Sequence, residues 1–287
     1  MTRRFWPFLI LSIVLAWTGC SSGPSTSPTD QAVADIKANL ASMDYEAALK
    51  NLDRLIKNAE GQPIAQQAII LRTALLTAMA EASKKMAEAY REGASQPAAA
   101  ARQGQLIKMK SDYYGVARAR LMGSMEGVMG QRRKLSAPMP LDFAFPDFTG
   151  ADPAAVAKIQ KGQWVEDGER YRAELECVRN ALAGTLARLV GAGDDVHKGH
   201  ALFEKGGVQI DPRVYLLELS ERFYKLSEIF ERRGLDDARY RRISLEVVRD
   251  NMDIVLIMVE AKPDKDLETR AKKLKADCEK ALKSMGG

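Results

Sequence analysis

Two aspartates and two histidines lie within seven residues of one another in a glycine-rich stretch: Asp194, Asp195, His197 and His200. Carboxylates and imidazoles are ligands of Zn²⁺ and other divalent ions, and a hydrolase would draw its base from the same two histidines. The alternative is a solvated loop whose aspartates cap the next helical turn, since no helical motif fixes this spacing. We therefore predict no metal, no cofactor and no enzymatic activity, and keep a metal-dependent hydrolase as a lesser alternative.

Methionine and phenylalanine are concentrated between residues 122 and 148, where glycines and then prolines are expected to loosen and stop a helix. Such side chains on mobile backbone form adaptable apolar surfaces that repack around partners. The candidate interaction surface consists of Met122, Met125, Met129, Phe143, Phe145 and Phe148. The alternative is that this segment crosses a helical bundle and fills its core, because large exposed apolar clusters are rare in monomers. The glycines of this segment follow a helical pattern with no strand before them, so a phosphate-binding loop is not expected.

The first twenty residues have the order of an export signal. A short basic start (Arg3, Arg4) precedes an apolar run from Phe5 to Trp17, which is shorter than the ~20 residues of a membrane-spanning helix. The ending Leu15-Ala16-Trp17-Thr18-Gly19-Cys20 resembles the lipobox of bacterial lipoproteins, in which the cysteine is lipidated before the signal is cleaved. The resemblance implies a signal peptide at 1–19 and lipidation of Cys20.

The lipoprotein resemblance also implies a location. Acyl chains on Cys20 would anchor the protein stably to a membrane. Ser21 stands where an aspartate commonly retains such proteins at the inner membrane, so we expect an outer-membrane anchor with the domain in the periplasm. Residues 20–29 are then a flexible tether, because Ser21 to Pro28 offers no apolar side chain and contains two prolines.

The net charge of the chain limits the classes of partner that it is expected to bind. The formal net charge is +5 and falls to +3 if Arg3 and Arg4 leave with the signal, which is too small a bias to predict nucleic acid binding.

With Cys20 lipidated, Cys177 and Cys278 remain in an oxidising compartment. A disulfide between them and a role for Cys278 as a small core residue are both open, since Cys278 lies on an apolar helical stripe.

Nearly every segment after Asp30 repeats apolar residues at intervals of three and four, with no sustained alternation of period two, so the domain is predicted to be all-α. Prolines mark helix starts, and Asp152, Asp211 and Asp236 are candidate N-caps. The apolar run Ile254 to Val259 is predicted to be the central buried helix. The predicted helices are 30–42, 44–59, 63–92, 97–134, 153–161, 167–190, 212–233, 236–261 and 264–284.

Asp44-Tyr45-Glu46-Ala47-Ala48, followed by Leu49 and Leu52, resembles the turn and second-helix start of a tetratricopeptide repeat. That family builds protein-binding scaffolds, and the resemblance covers one helical hairpin of this chain. The expected fold is thus an antiparallel helical bundle or hairpin array, partly tetratricopeptide-like, with long helices.

The predicted organisation is an N-terminal helical region at 30–134, a Pro/Phe-rich connector at 135–153 and a C-terminal helical region at 154–287. The function expected from these features is an outer-membrane-anchored scaffold for envelope assembly, with the membrane and an unidentified envelope protein as partners. The alternative from another class is a ligand-binding accessory of a transport system with an apolar groove between helices.

Overall fold

The computed structural model describes residues 27–135, 137–143 and 145–285. Within them the chain forms ten α-helices, two short 3₁₀ segments (Pro97–Arg102 and Ser227–Phe230) and a two-stranded ribbon. This arrangement confirms the all-α prediction. The helices are α1 (Pro28–Ala41), α2 (Tyr45–Asn58), α3 (Pro63–Ala94), α4 (Gln103–Gln131), α5 (Ala154–Gln160), α6 (Asp167–Leu189), α7 (Val196–Glu204), α8 (Pro212–Leu226), α9 (Ala238–Ala261) and α10 (Lys265–Met285).

Helix boundaries follow local chemistry. Proline occupies the first position of α3 and α8, where its missing N–H costs no hydrogen bond. The Asp211 carboxylate caps α8 by accepting from the Arg213 N–H, as predicted. Gly61 ends the α2 region with a φ of 80°, the left-handed conformation that glycine adopts without strain.

Two predicted caps are wrong. The Asp152 carboxylate pairs with Lys85, and Pro153 stands at the N-cap of α5. Asp236 adopts a left-handed φ of 53°, and the next residue, Asp237, caps α9 by accepting from the Tyr240 N–H. The turn before it needs Gly234, because a Cβ there would lie 2.1 Å from the Ile229 carbonyl oxygen. The tight turn thus moves the cap by one residue.

The central helix is α3, and the prediction that Ile254 to Val259 forms it is wrong. Helix α3 packs against α2, α4, α5, α6 and α8, whereas α9 packs mainly between α8 and α10 and leaves Ile257 66% exposed. Alanines such as Ala74 and Ala78 are fully buried in α3. Small side chains permit close approach from several sides, so an alanine-rich helix can be surrounded more completely than one of bulky residues.

Glycine and hydroxyl side chains bring α4 close to α3. A Cβ on Gly127 would lie 2.8 Å from the Thr73 hydroxyl oxygen. The Ser124 hydroxyl donates to the Thr73 carbonyl oxygen (3.0 Å) and lies 2.7 Å from the Thr77 hydroxyl. Helix α4 therefore continues through its glycines to Gln131. The expectation that they loosen the helix is wrong, because Gly123 and Gly127 are points of close contact with α3.

The connector runs along the bundle and contributes to the core. Met139–Pro140 (β1) pairs antiparallel with Gln209–Ile210 (β2), with Met139 opposite Ile210. The side chains of Leu135, Met139, Leu141 and Phe143 are buried. The buried apolar cluster is continuous from Ile36 to Cys278, so it includes side chains from all three predicted regions of the helical domain.

Buried polar contacts connect α4, α8 and α9. Asn251 is fully buried, donates to the Ser220 hydroxyl (3.0 Å) and accepts from the Arg132 guanidinium (3.1 Å). The amide nitrogen and the amide oxygen of Asn251 are therefore both hydrogen-bonded, as a buried polar side chain requires. On α10, Lys272 pairs with Glu268 (2.5 Å) and Lys275 with Asp253 of α9 (2.6 Å).

Cys177 and Cys278 are both free and buried, so the disulfide alternative is not realised. Burial raises the pKa of the Cys177 thiol to about 11 and that of Cys278 to about 12, which keeps both protonated at neutral pH. Trp164 lies half-buried between α5 and α6, with the Arg102 guanidinium 5.1 Å from the centre of its ring.

Candidate functional site

The connector and α7 meet in a cluster of five aromatic side chains, which we call the aromatic–histidine patch: Phe145, Phe148, His197, His200 and Phe203. The rings of Phe148 and His197 lie 4.8 Å apart between centroids, and those of Phe145 and His200 lie 5.6 Å apart, both edge to face. Phe203 contacts Phe145 at 5.2 Å. Such geometry is favourable for aromatic pairs beyond the area they bury.

The position of α7 depends on one cap and one glycine. The Asp195 carboxylate accepts from the Lys198 N–H (2.9 Å) and so starts the helix. A Cβ on Gly199 would lie 2.7 Å from the Ala187 Cβ of α6 and 3.5 Å from the Phe145 ring. Because this glycine lets α7 lie directly on α6, His197 and His200 are brought to the connector.

The connector, which forms the other side of the patch, is held in place by hydrogen bonds. The Thr149 N–H donates to the Asn180 side-chain oxygen (3.0 Å), and the Asn180 amide donates to the Ala151 carbonyl oxygen (2.9 Å). Nearer its start, the Leu141 N–H donates to the Val208 carbonyl oxygen (3.0 Å). Phe145 and Phe148 are therefore held between two hydrogen-bonded points of the chain.

Charged side chains form a rigid base beneath the loop that precedes α7. Arg188 of α6 pairs with Asp194 (2.6 Å) and with Glu218 of α8 (3.1 Å), and Arg270 of α10 reaches Glu218 at 2.5 Å. Burial alone would lower the pKa of Arg188, but its bonds to Glu218 and Asp194 outweigh burial and raise it. The Glu218 side chain is only 7% exposed, and its two arginine partners offset the cost of burying its charge.

The four candidate metal ligands do not converge. Asp194 pairs with Arg188, Asp195 caps α7, and the imidazoles of His197 and His200 contact phenylalanine rings. In residues 27–285, apart from positions 136 and 144, no group of three or more His, Cys, Asp or Glu side chains is placed to hold a metal ion. The capping role predicted as the alternative is the one that Asp195 has.

The six residues of the predicted Met/Phe surface are dispersed. Met125 and Phe143 are buried in the core and cannot contact a partner, because α4 turns Met125 inward and the ribbon draws the chain across the bundle at Phe143. Met122 packs partly against the core, and Met129 is 42% exposed. Phe145 and Phe148 are half-buried in the aromatic–histidine patch.

Sequence reasoning singled out both halves of the patch but did not place them together, and it missed Phe203. The available signal was local: Phe203 follows His200 by three residues, so both lie on one face of α7. Cys20 lies outside the described residues. Among the described helices, none is both long and apolar enough to cross a membrane.

No protein-family model matches the chain, and neither a curated protein nor a solved structure is significantly similar to it.

Proposed function

We propose that this protein is a lipid-anchored lipoprotein of the outer membrane whose periplasmic helical bundle is a scaffold for another envelope protein, bound at the aromatic–histidine patch. The patch carries the scaffold part of the proposal: half-exposed phenylalanines lie against two histidines on a surface fixed from both sides. The sequence up to Cys20 supports the anchor, through its resemblance to a lipobox.

The composition of the patch suits a protein partner. Aromatic side chains are enriched where proteins bind one another, because they bury a large apolar area with few rotatable bonds. Exposed charges of both signs, Asp147, Lys198 and Glu204, surround the rings and would form a polar rim. Because α7 and the connector are already fixed, little conformational entropy remains to be lost on binding.

Site-specific crosslinking in native cells tests the scaffold function. A photo-reactive side chain at Phe148 should give one major crosslinked protein. The matched control is Tyr171, which is 62% exposed on α6 and lies outside the patch. We expect the Phe148 product to disappear in a His197→Ala variant and Tyr171 to give no such product. The same products from both positions, or none from Phe148, would contradict this function.

The anchor is tested separately with Cys20→Ser. The proposed acyl chains would supply the membrane anchor, and none of the helices in the described residues could span a membrane, so this variant should be recovered as a soluble periplasmic protein or as an uncleaved precursor. Cysteine-to-serine changes at the buried Cys177 and Cys278 are the matched controls and should leave the protein in the membrane fraction. Outer-membrane sedimentation of a processed Cys20→Ser protein would refute lipid anchoring.

One structural feature supports the solute-binding alternative: an open recess of about 680 Å³ between α2, α3 and α4. A small molecule that co-purifies stoichiometrically with the protein and is lost on mutation of this recess would favour that alternative.

A further inference from the structure

Four helix ends meet at one end of the bundle. The first turn of α1, from Pro28, lines a crevice with the end of α2 at Asn58. The end of α2, the start of α3 at Pro63 and the end of α4 at Gln131 surround the 680 Å³ recess. The point at which the described chain begins and the recess therefore lie at the same end.

Exposed basic side chains are concentrated there, and we call this region the basic end: Arg54, Lys57, Arg133 and Lys134. None of the ion pairs found in the described residues involves any of the four. Three acidic residues are nearby: Glu60 on the rim of the recess, Asp35 in the crevice between α1 and α2, and Asp30, which accepts from the Ser27 hydroxyl. The four basic side chains outnumber these carboxylates by one, so the basic end has a small excess of positive charge.

The recess has a mixed lining. Ile56, Ile69 and Leu135 contribute apolar surface, and Lys57 and Lys134 stand at its margin. Apolar side chains bordered by lysines suit contact with a bilayer interface, where anionic headgroups cover hydrocarbon. Lysine and arginine stems can lie on the apolar part while their charges reach the headgroups.

The tether limits how far the basic end can be from a membrane. If Cys20 is lipidated, eight residues lead from it to Pro28, and a chain of eight residues spans at most about 28 Å when extended. A flexible chain of that length has a typical end-to-end distance of about 16 Å. This step rests on the proposed lipid anchor, whereas the charge and the recess do not.

We infer that the basic end docks on the anionic phospholipid headgroups of the membrane that carries the anchor. Each basic side chain near an anionic surface favours the docked state by about fivefold. The tether supplies a high local concentration, so these modest terms suffice to orient the bundle. The aromatic–histidine patch is then presented at a fixed height and direction.

Labels at the two ends of the lipidated full-length protein test the docking. Gln62→Cys places a label on the exposed α2–α3 turn, and Gln105→Cys places one at the exposed start of α4, at the opposite end. Cys177 and Cys278 are buried and should not react. The protein is reconstituted into vesicles of phosphatidylcholine alone or of equal parts phosphatidylcholine and phosphatidylglycerol, and quenching by a water-soluble quencher is measured.

Two charge-reversal variants provide the comparison. The test variant changes three residues of the basic end to glutamate, and the control changes three lysines at the opposite end. The test set is Lys57, Arg133 and Lys134, and the control set is Lys108, Lys110 and Lys161. Loss of the three positive charges alone should lower the docked-to-undocked ratio on the order of a hundredfold, repulsion of the new glutamates adds to that loss, and the control set should leave the ratio unchanged.

The expected result is protection of the Gln62 label in phosphatidylglycerol vesicles only, lost in the test variant and kept in the control. Equal quenching in both vesicle types while the protein floats with both would overturn the inference. Protection that requires an added envelope protein would assign the basic end to a protein and overturn it too. Flotation with phosphatidylglycerol but not phosphatidylcholine vesicles would refute the lipid anchor while supporting the docking. Flotation with neither would refute both.

Discussion

Replacement of Gly199 by alanine should push α7 away from α6 and loosen the aromatic–histidine patch. The added Cβ would lie 2.7 Å from the Ala187 Cβ and 2.9 Å from the Ala187 Cα, whereas ordinary contact begins at 3.4 Å. Helix α7 must therefore retreat by about 0.7 Å, the difference between the contact limit and the Cβ–Cβ distance. Because the Ala187 backbone is one of the two obstacles, no side-chain rotation removes the overlap.

Two opposing terms set the size of the effect. Overpacking of this kind costs about 1 to 3 kcal/mol, and alanine in place of a helical glycine returns about 1 kcal/mol. The free energy of unfolding should thus fall by about 0 to 2 kcal/mol. For a domain of this size that lowers Tm by several degrees at most, at about 2 to 4 °C per kcal/mol.

Local opening of α7 is a more sensitive measure of this substitution than the global Tm. Hydrogen exchange of the α7 amides should accelerate while exchange in α3 stays slow, because a peripheral helix can open without global unfolding. The Phe148 crosslink should weaken in parallel. Gly115→Ala is the matched control: it lies within α4 with no other atom within 4 Å of its Cβ, so it should raise stability slightly. Equal gains from Gly115→Ala and Gly199→Ala, with unchanged α7 exchange, would refute the packing argument.

Three further substitutions have definite expected outcomes. Phe143→Ala should cost about 3 to 5 kcal/mol in chemical denaturation, because this ring is 4% exposed; a loss under 1 kcal/mol would contradict its core placement. Burial raises the pKa of the Glu174 carboxyl, although the hydrogen bond from Tyr113 and the charge of Arg170 partly oppose this shift. Ionised Glu174 therefore destabilises the folded protein once the pH rises above the ordinary carboxyl pKa. Glu174→Gln should therefore raise Tm at neutral pH and give no gain in acid, a trend that denaturation at several pH values will show or disprove. Asp236→Gly should raise stability by about 1 kcal/mol by relieving the left-handed φ of 53°, and no change in the denaturation midpoint would argue against strain there.

The sequence predicted most helices because their signals are local. Prolines, capping aspartates and apolar spacing act within a few residues, so α3 from Pro63 and α8 from Pro212 begin where expected. The helix expected at 97–134 instead begins with a 3₁₀ segment up to Arg102. The segment of α7 is instead predicted as a loop, because glycines flank its nine residues on both sides.

What could not be predicted depends on contacts between distant segments. The identity of the central helix is decided by how many neighbours fit around α3, which hydrophobicity alone does not encode. The patch exists because Phe145 and Phe148 meet a helix some fifty residues further along the chain. Each half was visible as an unusual local composition, and only the α6–α7 packing at Gly199 brings them together.

The length of α3 fixes the distance between the two ends of the bundle. A helix of 32 residues spans about 48 Å, and its burial by surrounding helices prevents bending. Whatever binds beside Gln62 is therefore held at a set separation from whatever binds beside α5 and Trp164. Two structures attached to the opposite ends would be kept at a constant distance from each other. Shortening α3 and α4 together by whole turns would reset that gap in steps of about 5.4 Å.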